Sequence, residues 1–192
     1  MAYEHLLSPL KIGNVTLKNH MLSSRCITVE ANDMERASVF YENIAKNGAA
    51  VVTMAVGTFP DCEGKRSKMS FIHMDDPDVQ AQYREMIQRV HKHNALCSAH
   101  LMNVDPEEYA ISDTPNWDEI PKTGDYNPNF QNRPGIPLRR LEQMIDDIVT
   151  TCQRLKEIGF DMVTFYMCYR ASILANALSP VLNQRTDRYG GK

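Results

Sequence analysis

Hydrophobic and polar residues along the chain follow two patterns, short apolar runs and longer stretches with helical spacing. The short runs predict four strands, at Met21–Ser24, Ala50–Val56, Leu96–Leu101 and Asp161–Tyr166. Apolar residues three and four positions apart predict three helices, over Met34–Lys46, around Val79–Val90 and from Pro137 to Leu155. Strands and helices alternate in order, which is typical of a protein with a parallel sheet.

Turn residues mark the ends of these elements. Asn47-Gly48 ends the first helix and Gly159 closes the third, as expected where a chain leaves a helix with positive φ. Ahead of the first strand, Leu10–Leu17 alternates apolar and polar residues on both sides of Gly13-Asn14, which predicts a β-hairpin.

Two segments have no sustained periodic spacing of apolar residues. A polar loop is predicted from Pro60 to Asp78, and the stretch from Met102 to Gly135 is rich in Pro, Asp, Asn and Gly. Because a structureless segment of the second length is usually functional in a compact domain, we expect it to cross the active face.

A parallel sheet whose strands alternate with helices is either doubly wound or a (β/α)8 barrel, and periodicity does not separate the two. No G-x-G-x-x-G motif follows any predicted strand, so the usual dinucleotide signature of the doubly wound class is missing. The sequence therefore favours a barrel.

Charge and composition exclude several classes of partner. The net charge of -3 gives no electrostatic reason to expect a nucleic acid or a membrane surface. The chain has no apolar run of about 18 residues, the length that a membrane span needs. The first residues lack the basic and apolar regions of a signal peptide, and we expect a cytoplasmic location.

No metal site or disulfide framework is expected. The five cysteines stand at irregular spacings without a C-x-x-C pair: Cys26, Cys62, Cys97, Cys152 and Cys168. His91 and His93 are two positions apart at a helix end, where their rings point to different faces, and His73 does not change this expectation.

Three segments carry a resemblance to a known family. They are Leu7–Asn19, then Tyr41–Val52 followed by Val56-Gly57-Thr58, and finally Leu178-Ser179-Pro180, Asn183, Arg185-Thr186-Asp187 and Tyr189-Gly190-Gly191. In order and spacing they resemble the N-terminal half of old yellow enzymes, the NADH:flavin oxidoreductase family. The resemblance is strongest at both ends of the chain.

The resemblance implies an α/β fold, the N-terminal half of a TIM (β/α)8 barrel with an N-terminal β-hairpin that closes its bottom, and incomplete at the C-terminus. Residues 1–192 would then be the N-terminal portion of one FMN-binding domain. It also implies that NAD(P)H reduces FMN, which passes hydride to an activated C=C bond of an unsaturated carbonyl or thioester. The predicted flavin-binding positions are Ser24, Arg25, Cys26, Gly57 and His100.

Three of these positions depart from the family pattern. Arg25-Cys26 stands where the family usually has a Pro followed by Met or a similar residue. Cys26 either tunes the flavin or is a buried thiol; Arg25 either favours an anionic flavin or substrate or lies on the surface. His100 replaces a Gln that hydrogen-bonds the flavin pyrimidine, and is otherwise a structural histidine.

The His-x-x-His or His-x-x-Asn pair that many members use to hold the substrate carbonyl is absent. In its place, Tyr169 and Arg170 are the candidate catalytic residues, with Arg170 holding an enolate or carboxylate and Tyr169 donating the proton. The alternative is that both pack a loop. The pattern resembles the divergent branch of bile-acid and 2,4-dienoyl-CoA reductases.

In the family, four more βα units follow the position of Gly191 and carry the loops that bind the FMN phosphate. Three hypotheses fit a chain of this extent: a fragment of a longer enzyme, a naturally truncated product, or a half-barrel that completes itself as a homo-oligomer through exposed sheet edges. The competing function is a non-catalytic half-barrel or interaction module, and a different small-molecule binder is a third.

Overall fold

A computed structural model describes residues 3–24, 33–57, 59, 64, 72–101, 109–113, 133–165, 167, 173–180 and 182–190. The chain divides into two compact units. The first comprises Met1–Met102 with Ile148–Phe165, and the second comprises Asn103–Asp147 with Tyr166–Lys192.

The first unit begins with a short helix and a hairpin. Helix α1 spans Glu4–Leu7, and strands β1 (Leu10–Ile12) and β2 (Val15–Leu17) pair antiparallel with Leu10 opposite Leu17. Gly13 takes a φ of 55° in the turn, a conformation that costs glycine little. The predicted hairpin is confirmed, whereas α1 was not predicted.

Two helices of this unit begin at aspartate caps. Helix α2 (Met34–Lys46) has the predicted bounds, and the Asp33 carboxylate accepts a hydrogen bond from the Arg36 backbone N–H at 2.9 Å. Helix α3 spans Pro77–His91 and begins earlier than its apolar stripe indicates. Pro77 fits the first turn and Asp76 caps it, so the predicted loop ends before Asp78.

A parallel sheet of three strands forms the centre of the first unit. Strands β3 (Val51–Ala55), β4 (Leu96–Leu101) and β5 (Met162–Phe165) lie in that order. A doubly wound sheet reverses its strand order part-way, and these strands do not. Sequential parallel neighbours are the order that a barrel requires.

The first predicted strand, Met21–Ser24, is reduced to one bridge, in which Leu22 pairs parallel with Val51. The Ser23 N–H donates to the Val51 carbonyl at 2.9 Å. The Thr53 N–H then donates to the Ser23 hydroxyl, at 3.1 Å, instead of a backbone carbonyl. This side-chain bond interrupts the ladder and corrects the prediction of a strand.

The hairpin packs over the amino-terminal end of the sheet. Leu17 is fully buried and clusters with Val51, and the partly buried Leu96 and Met162 pack against them. The strand register places these three sheet residues on one face. The hairpin therefore covers the bottom of that face, as the family resemblance implies.

Helix α4 (Leu138–Ile158) ends at Gly159, whose φ is 121°. The prediction of this helix and its glycine stop is confirmed. The second unit also contains helix α5 (Ile173–Ala177) and a parallel bridge between Ala110 and Gly135. Neither was predicted, and the proposed position of Met102–Gly135 over the active face stays a prediction.

None of the helices in the described ranges combines the length and the apolar character needed to cross a membrane.

Candidate active site at the carboxyl ends of the strands

Three of the predicted site residues lie at the carboxyl end of the first unit's sheet. Ser24 follows the Leu22 bridge, Gly57 comes two residues after β3, and His100 is in β4 opposite Ala55. Active sites of (β/α)8 barrels form at this end because the loops after the strands converge there. The structure therefore brings Ser24, Gly57 and His100 to one end of the sheet.

His100 is a buried polar residue, with 7% of its surface exposed. Its register places it on the same sheet face as Ala55, Thr53 and Ser98, all of them small side chains. An imidazole carries a ring N–H donor or a ring nitrogen acceptor, so His100 brings hydrogen-bonding capacity to this end of the sheet.

Three hydroxyl residues, Thr53, Ser98 and Thr164, lie on this face by their register. The Ser98 and Thr164 hydroxyls are 2.7 Å apart. Thr164 is exposed although its strand belongs to the sheet. The face therefore has its large apolar residues at the hairpin end and three hydroxyl groups farther along the strands.

Gly57 is buried where another segment passes closely. A Cβ atom at this position would lie 1.9 Å from the Ile72 carbonyl oxygen and 2.7 Å from the Ile72 Cβ. Any side chain would collide with this backbone, so the fold alone accounts for the glycine. The predicted flavin contact of Gly57 stays a prediction.

Two buried tyrosines hold the end of β3. The Tyr83 hydroxyl donates to the Ala55 carbonyl at 2.6 Å, and the Tyr41 hydroxyl accepts from the Ala55 N–H at 3.4 Å. Both tyrosines occupy positions in the apolar stripes of α3 and α2, and a pattern of this kind predicts core residues. Their hydroxyl contacts cross between elements and carry no local sequence signal.

The remaining predicted site residues, Arg25, Cys26, Tyr169 and Arg170, lie outside the described residues. Their roles stay predictions.

The segment after α5 in the second unit is organised by Arg185. Its Nη1 donates to the carbonyl oxygens of Ile111, at 3.1 Å, and Ile136, at 2.7 Å, while its Nε donates to both carboxylate oxygens of Asp187, at 3.0 and 3.1 Å. The bonded Arg185 guanidinium lowers the pKa of Asp187 below its usual value.

Asn183 completes this loop. Its amide donates to the carbonyls of Ala177, at 2.9 Å, and Tyr189, at 2.8 Å. Gly190 is required because a Cβ atom there would lie 2.2 Å from the Arg185 carbonyl oxygen. The motif that carried the resemblance near the end of the chain is thus a set of bonds that shapes a loop.

The family to which this fold and these residues belong is shown by a match to a protein-family model. The model of the NADH:flavin oxidoreductase / NADH oxidase family matches residues 5–192. The chain belongs to this family. The family is one of FMN and NAD(P)H enzymes that act on small molecules, and the prediction of family and cofactors is confirmed.

Curated relatives in this family include several oxidoreductases. Dimethylamine dehydrogenase of Hyphomicrobium sp. (strain x) is 26% identical over 200 residues, which cover 98% of this chain and 26% of the relative. NADPH dehydrogenase of Bacillus cytotoxicus is 24% identical over 194 residues, which cover 97% of this chain and 53% of the relative. The chain thus spans between about a quarter and about half the length of these relatives.

Solved structures share the fold. Old yellow enzyme from Pichia sp. AKU4542 superposes with a TM-score of 0.70 at 20% identity, over 98% of this chain and 52% of that one. Histamine dehydrogenase from Rhizobium sp. 4-9 superposes with a TM-score of 0.72 at 21% identity, over 99% of this chain and 28% of that one. The predicted N-terminal half of a TIM barrel is confirmed.

The described part of the site suits a flavin of this family. The buried His100 imidazole and the exposed Ser24 hydroxyl both offer hydrogen bonds at the carboxyl end of the strands. The pyrimidine edge of a flavin presents alternating donors and acceptors, and imidazole and hydroxyl groups are of the kinds that hydrogen-bond such an edge.

Proposed function

We propose that the chain is the N-terminal part of an FMN-dependent ene-reductase, which uses NAD(P)H to reduce an activated C=C bond of an unsaturated carbonyl or thioester. The observation that carries the proposal is the buried His100 at the carboxyl end of β4 in a chain of the flavin oxidoreductase family. Solved relatives in fold include a 2-naphthoyl-CoA reductase bound to 2-naphthoyl-CoA and a morphinone reductase.

When bound, FMN supplies the hydride chemistry, and the protein supplies orientation and proton transfer. In our proposal His100 and Ser24 hydrogen-bond the polar edge of the flavin, and Gly57 keeps the chain close to it. Arg25 and Cys26 contribute to the same binding position.

The substrate side of the proposal rests on Tyr169 and Arg170. The Arg170 guanidinium would hold the oxygen of the developing enolate, since a fixed cation stabilises negative charge in a site that excludes water. The Tyr169 hydroxyl would protonate the carbon that does not receive hydride.

Amine dehydrogenation is the second candidate function. Dimethylamine dehydrogenase and N,N-dimethylglycine/sarcosine dehydrogenase match almost the whole chain, at 26% and 22% identity. In such a reaction the substrate gives up hydride and reduces the flavin. In an ene-reductase the reduced flavin gives hydride to the substrate.

The two proposed functions can be distinguished by measuring flavin reduction and flavin reoxidation separately in the full-length protein loaded with FMN. Under anaerobic conditions NADPH should bleach the flavin, and 2-cyclohexenone or an enoyl thioester should restore its colour. Dimethylamine should not bleach it. Bleaching by dimethylamine together with inertness toward the enone and the thioester would establish the second candidate instead.

Variants test the assigned roles. Tyr169→Phe should slow reoxidation by the enone by about two to four orders of magnitude while leaving reduction by NADPH unchanged. Tyr3→Phe, at an exposed tyrosine, is the matched control. A full-length protein that takes up no FMN would refute both enzyme functions and support the non-catalytic interaction module.

A further inference from the structure

Three side chains with metal-binding atoms meet at the amino-terminal ends of β4 and β5, the opposite end of the sheet from the candidate active site. They are His91, Cys97 and Asp161, and their ligand atoms all lie within 4.8 Å of one another. Cys97 is buried, while His91 and Asp161 reach the surface. All three belong to the first unit.

Separate elements build this cluster. His91 is the last residue of α3, Cys97 is the second residue of β4, and Asp161 immediately precedes β5. One Asp161 carboxylate oxygen lies 2.8 Å from His91 Nε2 and also accepts a hydrogen bond from the Cys97 N–H at 2.8 Å. The backbone bond orients the carboxylate, as outer-shell bonds do for metal ligands.

We propose that His91, Cys97 and Asp161 bind a divalent transition-metal ion of the zinc class, with water as the fourth ligand. An imidazole nitrogen, a thiolate and a carboxylate are the donor types that Zn²⁺ accepts in proteins. Oxygen-preferring ions such as Mg²⁺ do not suit a site with sulfur.

The distances between the three ligand atoms need only a small adjustment for zinc coordination. Tetrahedral zinc coordination, with bonds of about 2.0–2.3 Å, places its ligand atoms roughly 3.3–3.7 Å apart. The three donor atoms already lie within 4.8 Å of one another. His91 Nε2 and the Asp161 oxygen, at hydrogen-bond distance in this structure, would move apart by about half an ångström.

Binding changes the protonation of the cysteine. Burial and the neighbouring Asp161 carboxylate raise the pKa of the Cys97 thiol, so it is protonated at neutral pH without the metal. The ion displaces the thiol proton to solvent as the metal–sulfur bond forms, and it neutralises the thiolate and the carboxylate together.

The bound ion would act as a structural link. It would tie the end of α3 to β4 and β5 at the end of the barrel that contributes to stability and not to catalysis. Neither the spacing of the cysteines nor that of His91 and His93 in the sequence indicates this site. The cluster instead joins residues as far as 70 positions apart.

Cobalt(II) titration of the purified full-length protein tests the proposal, since a thiolate–cobalt bond gives an intense charge-transfer band in the near ultraviolet. We expect one cobalt ion per chain, displaced by Zn²⁺. The band should vanish in Cys97→Ser, and His91→Gln should weaken the affinity at least about tenfold. His91 is 38% exposed, so this variant should fold.

His93→Gln is the matched control, because His93 Nε2 lies 3.4 Å from Glu42 and outside the cluster. Zn²⁺ should raise the Tm of the wild type and of His93→Gln, and leave that of His91→Gln nearly unchanged. The absence of a charge-transfer band, or an equal loss of affinity in both histidine variants, would overturn the proposal. In that case Asp161 serves only as a hydrogen-bond acceptor between α3 and β4.

Discussion

The Lys18 ammonium donates to the carbonyl oxygen of His93 at 2.7 Å, just beyond the end of α3. It also lies 3.5 Å from the Ala45 carbonyl in the last turn of α2. One cation after the hairpin thus meets carbonyls at the carboxyl ends of two helices, where the helix dipoles favour positive charge.

Replacing Lys18 with Met should therefore lower the free energy of unfolding by about 1–2 kcal/mol. The loss is measured by urea denaturation at low ionic strength, and added salt should reduce it. Lys11→Met, at an exposed position of β1, is the matched control. Equal losses in the two variants would show that Lys18 has no special role.

Gly57→Ala should destabilise the protein by about 2–3 kcal/mol, because the new Cβ must displace the Ile72 backbone. Gly13→Ala meets nothing within 4 Å and should cost only about 1 kcal/mol, for its left-handed backbone. Thermal unfolding of both variants shows which substitution causes the larger loss of stability. A smaller loss at Gly57 than at Gly13 would contradict the close approach of Ile72.

A prediction that depends on the proposed function concerns His100. His100→Gln should keep FMN affinity near the wild-type value, because both side chains can donate to the pyrimidine edge. His100→Ala should weaken it about tenfold, the effect of losing one good hydrogen bond. Quenching of flavin fluorescence on titrating the full-length protein measures both.

The control for His100 is His20→Ala, at an exposed histidine. Equal FMN affinity in His100→Ala and the wild type would remove His100 from the flavin site while leaving the family assignment intact.

The pKa of Asp187 predicts an acid-dependent part of the stability. Its folded pKa is lowered, chiefly by the Arg185 hydrogen bond, so its contribution is complete above the unfolded carboxyl pKa of about 3.9. The contribution is lost as pH falls through the lower folded value. Asp187→Asn should therefore be less stable than wild type at neutral pH, and the difference should shrink in acid.

Thermal midpoints measured between neutral pH and about pH 3 test this dependence. Glu157→Gln, at an exposed carboxylate in α4, should leave the pH profile unchanged. A constant difference between Asp187→Asn and wild type over the whole range would show that the Arg185 bond does not carry the effect.

The elements that the sequence predicted well are those with both a period and a stop signal. Helix α2 begins and ends where its apolar spacing and Asn47-Gly48 place it. Helix α3 begins earlier than predicted because Pro77 and Asp76 signal a start that lies outside the apolar stripe.

The candidate site was partly predictable. The family resemblance implied a site at the carboxyl ends of the strands, and Ser24 and His100 lie at that end. The contacts of Tyr83 with Ala55 and of Asp161 with His91 were not predictable, because they join residues 28 and 70 positions apart.

By itself the sequence determined the hairpin, the order of strands and helices, and the segments that mark the family, because periods, caps and turns act over a few residues. Only the tertiary structure decided that the strands follow one another without reversal, and that Ser23 interrupts the first of them. It also decided that His91, Cys97 and Asp161 meet. Such outcomes depend on packing between distant segments, which no local pattern records.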